Sequence, residues 1–187
     1  MQEPYWWYVL FVKANSEKSV INDISNFAIA NKIRGEFEAF VPESEHYFRS
    51  KKNREAGKQY AKRPLFPGYV FIETNLPAQE FIENFAQYIY NSEDVIKLLR
   101  YGNSDKIALS DEERQRFEFL FKGKRYLEHS QGYIEGDKVI VTFGPLVGHE
   151  GSIKHINRHN RLAIIEFEMF GKLMTVKVAL EIIKRVP

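Results

Sequence analysis

The chain has 187 residues, 44% of them hydrophobic and 28% charged, with no cysteine and a formal net charge of +2. That size allows one large domain or two small ones, of ordinary globular composition. Without cysteine there are no disulfides, thiolate metal sites or cysteine nucleophiles, and a reducing, cytoplasmic setting is expected.

Charge is spread unevenly. Residues 1–121 carry 16 Lys or Arg against 18 Asp or Glu, while 122–130 and 131–187 are each net +2. Neither part is a bulk polycation, so any nucleic-acid contact must come from local patches. The N-terminus lacks a basic region followed by a long apolar stretch, so no signal peptide is expected. No apolar run approaches the roughly 18–20 residues of a membrane span, and no membrane partner is expected.

In chain order, the aromatic and branched run Trp7 to Val12 predicts a buried strand. Asn15 or Ser16 then caps a helix, whose apolar face is Val20, Ile21, Ile24, Phe27 and Ala28. A second strand runs over 37–41 and ends at Pro42. Residues 49–63 hold Arg49, Lys51, Lys52, Arg54, Lys58, Lys62 and Arg63 against one acid, Glu55. This reads as a loop or hairpin tip, either solvated or touching nucleic acid. Gly68 to Ile72 has strand propensity. Pro77 opens a helix with Phe81, Ile82, Phe85, Tyr88 and Ile89 on one face. Residues 95–99 are a further strand. Ser110 and Glu113 have capping-box spacing ahead of a helix carrying Phe117, Leu120 and Phe121.

This order predicts an α/β sandwich of ferredoxin-like type over residues 1–121. Polar residues 122–132 read as a linker. From 133 to 187, short Val- and Ile-rich runs broken by glycine predict an all-β small barrel. Gly144, Gly148, Gly151 and Gly171, with the β-branched runs, argue against a helical form of this part.

The segment RPLFPGYVFI at 63–72 is apolar on both sides of its strand. Alternation puts Val70 and Ile72 on one face, Tyr69 and Phe71 on the other. Either the domain covers both faces, or one stays open for a partner. Burying one such ring against a partner contributes roughly 1.5–3 kcal/mol, so three would form a hot spot.

This segment, with WYVLFVKANSE near the start and YIEGDKVIVTFGPLVGHEGSI later, resembles the NusG family of transcription elongation factors. Trp7-Tyr8-Val9 match the family's opening strand, and Leu65 to Phe71 its most distinctive segment. Gly136-Asp137, Val139, Val141, Gly144-Pro145 and Gly151 match the start of the KOW motif. The resemblance implies an NGN domain that binds the clamp helices of the largest RNA polymerase subunit and suppresses pausing, followed by an SH3-like KOW barrel. It makes Phe66, Tyr69 and Phe71 the polymerase-binding candidates, with Phe66 presented beside the other two by the Pro67-Gly68 turn and the patch left partly exposed. Lys13 matches a basic position near non-template DNA in specialised relatives; Lys18 on the first helix is a second candidate, and Arg49, Lys51, Lys52 and Arg54 add to them. For contact with the opposite side of the polymerase cleft, residues 73–77 offer no firm match.

The barrel carries a second signal. Lys154, His155, Asn157, Arg158, His159 and Arg161 fall within one short stretch that has no acid. A solvated hairpin tip is one reading. The other is RNA contact: Lys and Arg meet phosphates, Asn and His meet unpaired bases. Housekeeping NusG proteins usually carry an aromatic after the Gly-Pro of this motif, where this chain has Leu146-Val147. The stretch from Gly144 to Ala163 is similar to the LoaP-type paralogues, processive antiterminators linked to a structured leader RNA. The alternative is a housekeeping NusG coupling polymerase to ribosomal protein S10 or Rho.

No enzyme is expected: the chain has no phosphate-cradling glycine loop and no nucleophile elbow. His155 and His159 are four apart, a spacing that pairs metal ligands on a helix, but the region reads as a hairpin. Neither a metal nor a cofactor is expected, and the protein is expected to act as a monomer.

Overall fold

The computed structural model describes residues 5–48 and 60–186, with side chains to Ile183. The chain folds into two compact units, Met1–Val41 with Phe66–Arg114, and Pro42–Leu65 with Gln115–Pro187. This division differs from the boundaries 1–121, 122–132 and 133–187 read from the sequence: the segment 42–65 and the second half of the last helix belong to the C-terminal unit.

The first unit is an antiparallel four-stranded sheet with two helices on one face. Its strands are β1 (Trp6–Val12), β2 (Phe37–Phe40), β5 (Tyr69–Thr74) and β6 (Val95–Leu98), in the order β2-β5-β1-β6. β1 pairs with β5 from Trp6↔Thr74 to Phe11↔Tyr69. Helices α1 (Glu17–Ala30) and α2 (Ala78–Asn91) pack Val20, Ile24, Phe81 and Phe85 on Tyr8, Leu10, Val12, Val70 and Ile72. The predicted helix faces are these, except that Ile82 is exposed. Tyr8 stacks on Phe81 at 3.9 Å and donates its hydroxyl to the Leu76 carbonyl at 2.8 Å.

Two helix starts depart from expectation. Ser16 occupies the N-cap of α1 but its side chain makes no capping bond. The first-turn acid Glu17 instead accepts the Gly68 amide at 2.7 Å, fixing the Pro67-Gly68 turn. Gly68 has φ +83, which a side chain rarely adopts. At α3 (Asp111–Phe121), Ser110 Oγ accepts the Glu113 amide at 3.2 Å, the expected half of a capping box. The other half is replaced: the Ser110 amide donates to the Tyr101 hydroxyl, which donates to the Glu113 carboxylate. Burial, with that bond to Glu113, pushes Tyr101 up to about 12.

The second unit holds a five-stranded sheet and a three-stranded ribbon. The sheet runs β10-β11-β12-β8-β9, with β8 (Ser130–Glu135), β9 (Lys138–Phe143), β10 (Ile153–Asn157), β11 (Leu162–Met169) and β12 (Lys172–Val186). These are the predicted barrel strands, and the connections are turns and one 3₁₀ turn at Glu150–Ser152. At Gly144, φ +95, a Cβ would collide with the His129 carbonyl, so glycine is obligatory.

The ribbon was not predicted. It comprises β3 (Glu43–Tyr47), β4 (Tyr60–Pro64) and β7 (Tyr126–Leu127), with β3 antiparallel to β4 and parallel to β7. Residues 122–132, read as a linker, therefore carry β7 and the start of β8. His129 there stacks on Tyr60 at 4.3 Å, and its Nδ1 lies 3.0 Å from the Glu45 carboxylate. His46 Nε2 lies 2.8 Å from Ser44 Oγ, which donates to the Lys177 carbonyl. Burial, with Arg63 and Lys177 nearby, lowers His46 to about 4.

Both sets of contacts are open to measurement. Glu17→Ala leaves the Gly68 amide without its charged acceptor and is expected to cost about 1.5–3 kcal/mol in urea unfolding. His46 is neutral in the folded chain and binds a proton more readily when unfolded. Its contribution is full above about pH 6.5 and lost as pH falls towards about 4. Urea midpoints measured at pH 7 and 4.5 should therefore differ less for His46→Asn than for the wild type; equal differences would exclude this linkage.

Candidate functional site

The aromatic segment lies where its alternation placed it. Val70 and Ile72 enter the core beneath α1 and α2. Tyr69 and Phe71 face the other way, in one layer with Trp7, Phe40 and Phe66. Phe71 is 6.2 Å from Trp7, 5.8 Å from Phe40 and 6.0 Å from Phe66. The expectation of a partly exposed patch needs correction. Phe66 is 2% and Phe71 0% exposed, with other rings of this layer packed beside each. Tyr69, half-buried at 5.2 Å from half-buried Phe11, is the edge that reaches solvent.

Lys13 and Lys18 are exposed beside this sheet, at the end of β1 and on the first turn of α1. Lys13 Nζ stands 3.9 Å from Asp94, and its backbone amide donates to the Asp94 carbonyl at 2.9 Å. A surface pair of this length contributes about 0–1 kcal/mol, so Lys13 remains available to an incoming phosphate. Arg49, Lys51, Lys52 and Arg54 lie outside the described residues.

The six basic and amide residues of the barrel sit on the β10–β11 hairpin, and the structure sorts them into two groups. Lys154 pairs with Glu166 at 3.0 Å. Asn157 Oδ1 accepts the Asn160 amide at 3.0 Å and closes the turn. Arg161, at φ +51, pairs with Glu181 at 3.3 Å and lies 4.7 Å over the Tyr47 ring. The Tyr47 hydroxyl donates to Glu181 at 2.8 Å. Burial, with bonds to Tyr60 and Glu181, raises the Tyr47 pKa well above the usual tyrosine range. Of these three, Arg161 is half-buried, while Lys154 and Asn157 are exposed. His155, Arg158 and His159 are exposed, the first on β10 and the other two on the turn. Among the described residues, no group of three or more His, Asp or Glu is placed to hold a metal ion.

Sequence reading missed Glu17 as the holder of the aromatic turn, and Tyr47 and Glu181 as the seat of Arg161. Only the first had a signal, an acid in the first turn of α1. Among the described residues, no helix is long and apolar enough to cross a membrane.

Comparison with known proteins agrees with this architecture. A family model described as "Transcription termination factor nusG" matches residues 5–118, and a KOW-motif model matches residues 135–168. The "Transcription termination/antitermination protein NusG" of Borreliella burgdorferi is 24% identical over 187 residues, covering 96% of this chain and 98% of that one. The protein of the same name from Thermus thermophilus is 27% identical over 169 residues, covering 89% and 86%. A solved structure titled "Domain interaction in Thermotoga maritima NusG" shares the fold, with a TM-score of 0.54 at 18% identity over 94% of each chain. With a model match spanning most of its length, an NGN-type sandwich and a KOW-bearing barrel, the chain belongs to the NusG family of transcription termination and antitermination factors.

Proposed function

We propose that this protein is a LoaP-like antitermination factor, which binds RNA polymerase through its NGN unit and reads a structured leader RNA through its KOW barrel. It acts in the cytoplasm, as a monomer, and is not an enzyme. The observation that carries the RNA reading is the β10–β11 hairpin. It presents Lys154, His155, Asn157, Arg158 and His159 to solvent, while Arg161 is seated on Glu181 and Tyr47. A cation flanked by two imidazoles suits a phosphate next to unpaired bases.

Binding to RNA polymerase is expected of the family. In this chain the docking face is the aromatic layer of β1 and β5, with Phe66, Tyr69 and Phe71. Contact begins at the Tyr69–Phe11 edge; engagement of Phe66 and Phe71 requires those buried rings to be uncovered. Lys13 and Lys18 flank this layer and face the non-template DNA, with Arg49, Lys51, Lys52 and Arg54 as further contacts. The second reading is a housekeeping factor coupling polymerase to a ribosomal protein or Rho. It is favoured by the name shared by the two relatives above.

Gel shifts of the full chain on the leader RNA of its own operon, against a scrambled hairpin, separate the two readings. The antitermination reading predicts a preference for the leader. Arg158→Ala should weaken binding on all sequences and lower the salt slope by about 1, while Arg161→Ala should mainly lower stability. No preference for the leader would favour the housekeeping reading. For polymerase, Tyr69→Ala should reduce binding tenfold or more while the protein stays folded, whereas Phe71→Ala should cost about 3–5 kcal/mol of stability. Unchanged polymerase binding by Tyr69→Ala would move the docking site elsewhere.

A further inference from the structure

In the C-terminal unit, a cavity of about 210 Å³ opens between the end of α3 and the barrel. Its floor is apolar: Leu146 and Phe167 are buried there. Its rim is polar, with the charged Arg116, Glu166 and Glu168 beside the His149 imidazole. The β10–β11 ladder stops at Ile153↔Ile165, while β11 runs on to Met169 and lines the cavity with Ile165 to Glu168. At 210 Å³ it is smaller than the roughly 300–1,000 Å³ that drug-sized ligands occupy, and a single planar base suits it better.

We propose that this cavity is a slot for one unstacked guanine of the bound RNA; the proposal rests on the RNA-reading function above. Three observations lead to guanine in RNA. First, the rim offers a carboxylate and a guanidinium side by side, with Arg116 3.3 Å from Glu168. Guanine is the base whose edges satisfy both. Its N1–H and exocyclic N2–H donate to one carboxylate, and its O6 and N7 accept from the arginine fork. Adenine and cytosine bring an amino donor without guanine's O6/N7 acceptor pair, and uracil brings one N–H. Second, the cavity adjoins the basic hairpin. Glu166 on its rim is ion-paired with Lys154, at the base of the strand that leads to His155, Arg158 and His159. Glu168 stands roughly 20 Å along β11 from Leu162 at the turn, so a strand with its phosphates on Arg158 and His159 reaches the slot several nucleotides further on. Third, an exposed ring stands at the mouth: Phe119 meets the edge of His149 at 5.2 Å, a surface on which a flanking base can stack.

The test uses the full chain and a fluorescein-labelled RNA hairpin whose loop of adenines and uridines contains one guanine. Anisotropy titrations compare that guanine with inosine, which lacks the N2 amino group, and with adenine. The slot predicts about five- to tenfold weaker binding for inosine and a larger loss for adenine. Leu146→Phe, which fills the cavity, should erase the difference between the bases, whereas Glu168→Gln, which removes the anionic acceptor, should narrow the gap between guanine and inosine while Arg116 keeps adenine the weakest. Arg158→Ala should weaken all three RNAs while keeping their order. Tight binding that ignores the base and is unaffected by Leu146→Phe would overturn the slot and leave the RNA reading standing; no binding to any RNA would overturn both. Should Leu146→Phe fail to fold, methyl NMR of the wild type decides. Guanosine monophosphate, and not adenosine monophosphate, should shift the Leu146 and Ile165 methyl signals. Shifts caused instead by a phenylalanine-bearing dipeptide, with none from guanosine monophosphate, would make the cavity a protein-docking site and contradict the proposal.

Discussion

The β1–β5 pair is apolar on both faces, and the first unit is arranged around covering it. Tyr8, Leu10, Val12, Val70 and Ile72 are covered by two helices. Trp7, Val9 and Phe71, on the reverse, are as completely buried as the helix-covered face. At roughly 25 cal/mol per Å² of apolar surface, leaving either side in water would cost several kcal/mol. The turn between Phe66 and Tyr69 sets where this second layer ends. Glu17 holds that turn from the start of α1, so a single carboxylate joins the helix, the turn and the aromatic strand. A face this apolar suits a partner's surface as well as it suits a core.

Much of this was legible in the sequence where the pattern is local. The 3.6-residue spacing of Val20, Ile24 and Phe27, and of Phe81 and Phe85, finds both helices. The alternation of Tyr69, Val70, Phe71 and Ile72 assigns each ring to its face. Alternation names a side, however, and not what lies over it; that is why Phe71 reads as exposed and is buried. The ribbon escaped for a related reason. Glu43 to Tyr47 is a polar strand with no apolar face of its own, and its parallel partner Tyr126-Leu127 lies far along the chain. Long-range pairing of two short segments leaves no periodic trace. The same holds for Glu45 and His129, whose contact at 3.0 Å joins a polar strand to what looked like a linker.

At the barrel, composition alone put six residues into one patch, and geometry divides them. Lys154 and Arg161 are tied to acids on β11 and β12, and Asn157 is spent on its own turn. Exposure does not follow that division: Lys154 and Asn157 stay exposed along with His155, Arg158 and His159, and Arg161 is half-buried. A charge count would treat all six as equal ligands. The hydrogen bonds and ion pairs give Lys154, Asn157 and Arg161 partners within the protein that a charge count does not show.

The most direct measurement of the central claim is transcription in vitro, with purified RNA polymerase and the full chain, through a terminator placed behind the leader RNA. The account predicts read-through that rises with the intact leader and falls when its hairpin is scrambled or when Arg158 is replaced by Ala. Read-through that is the same with either leader, or stimulation of termination instead, would contradict it.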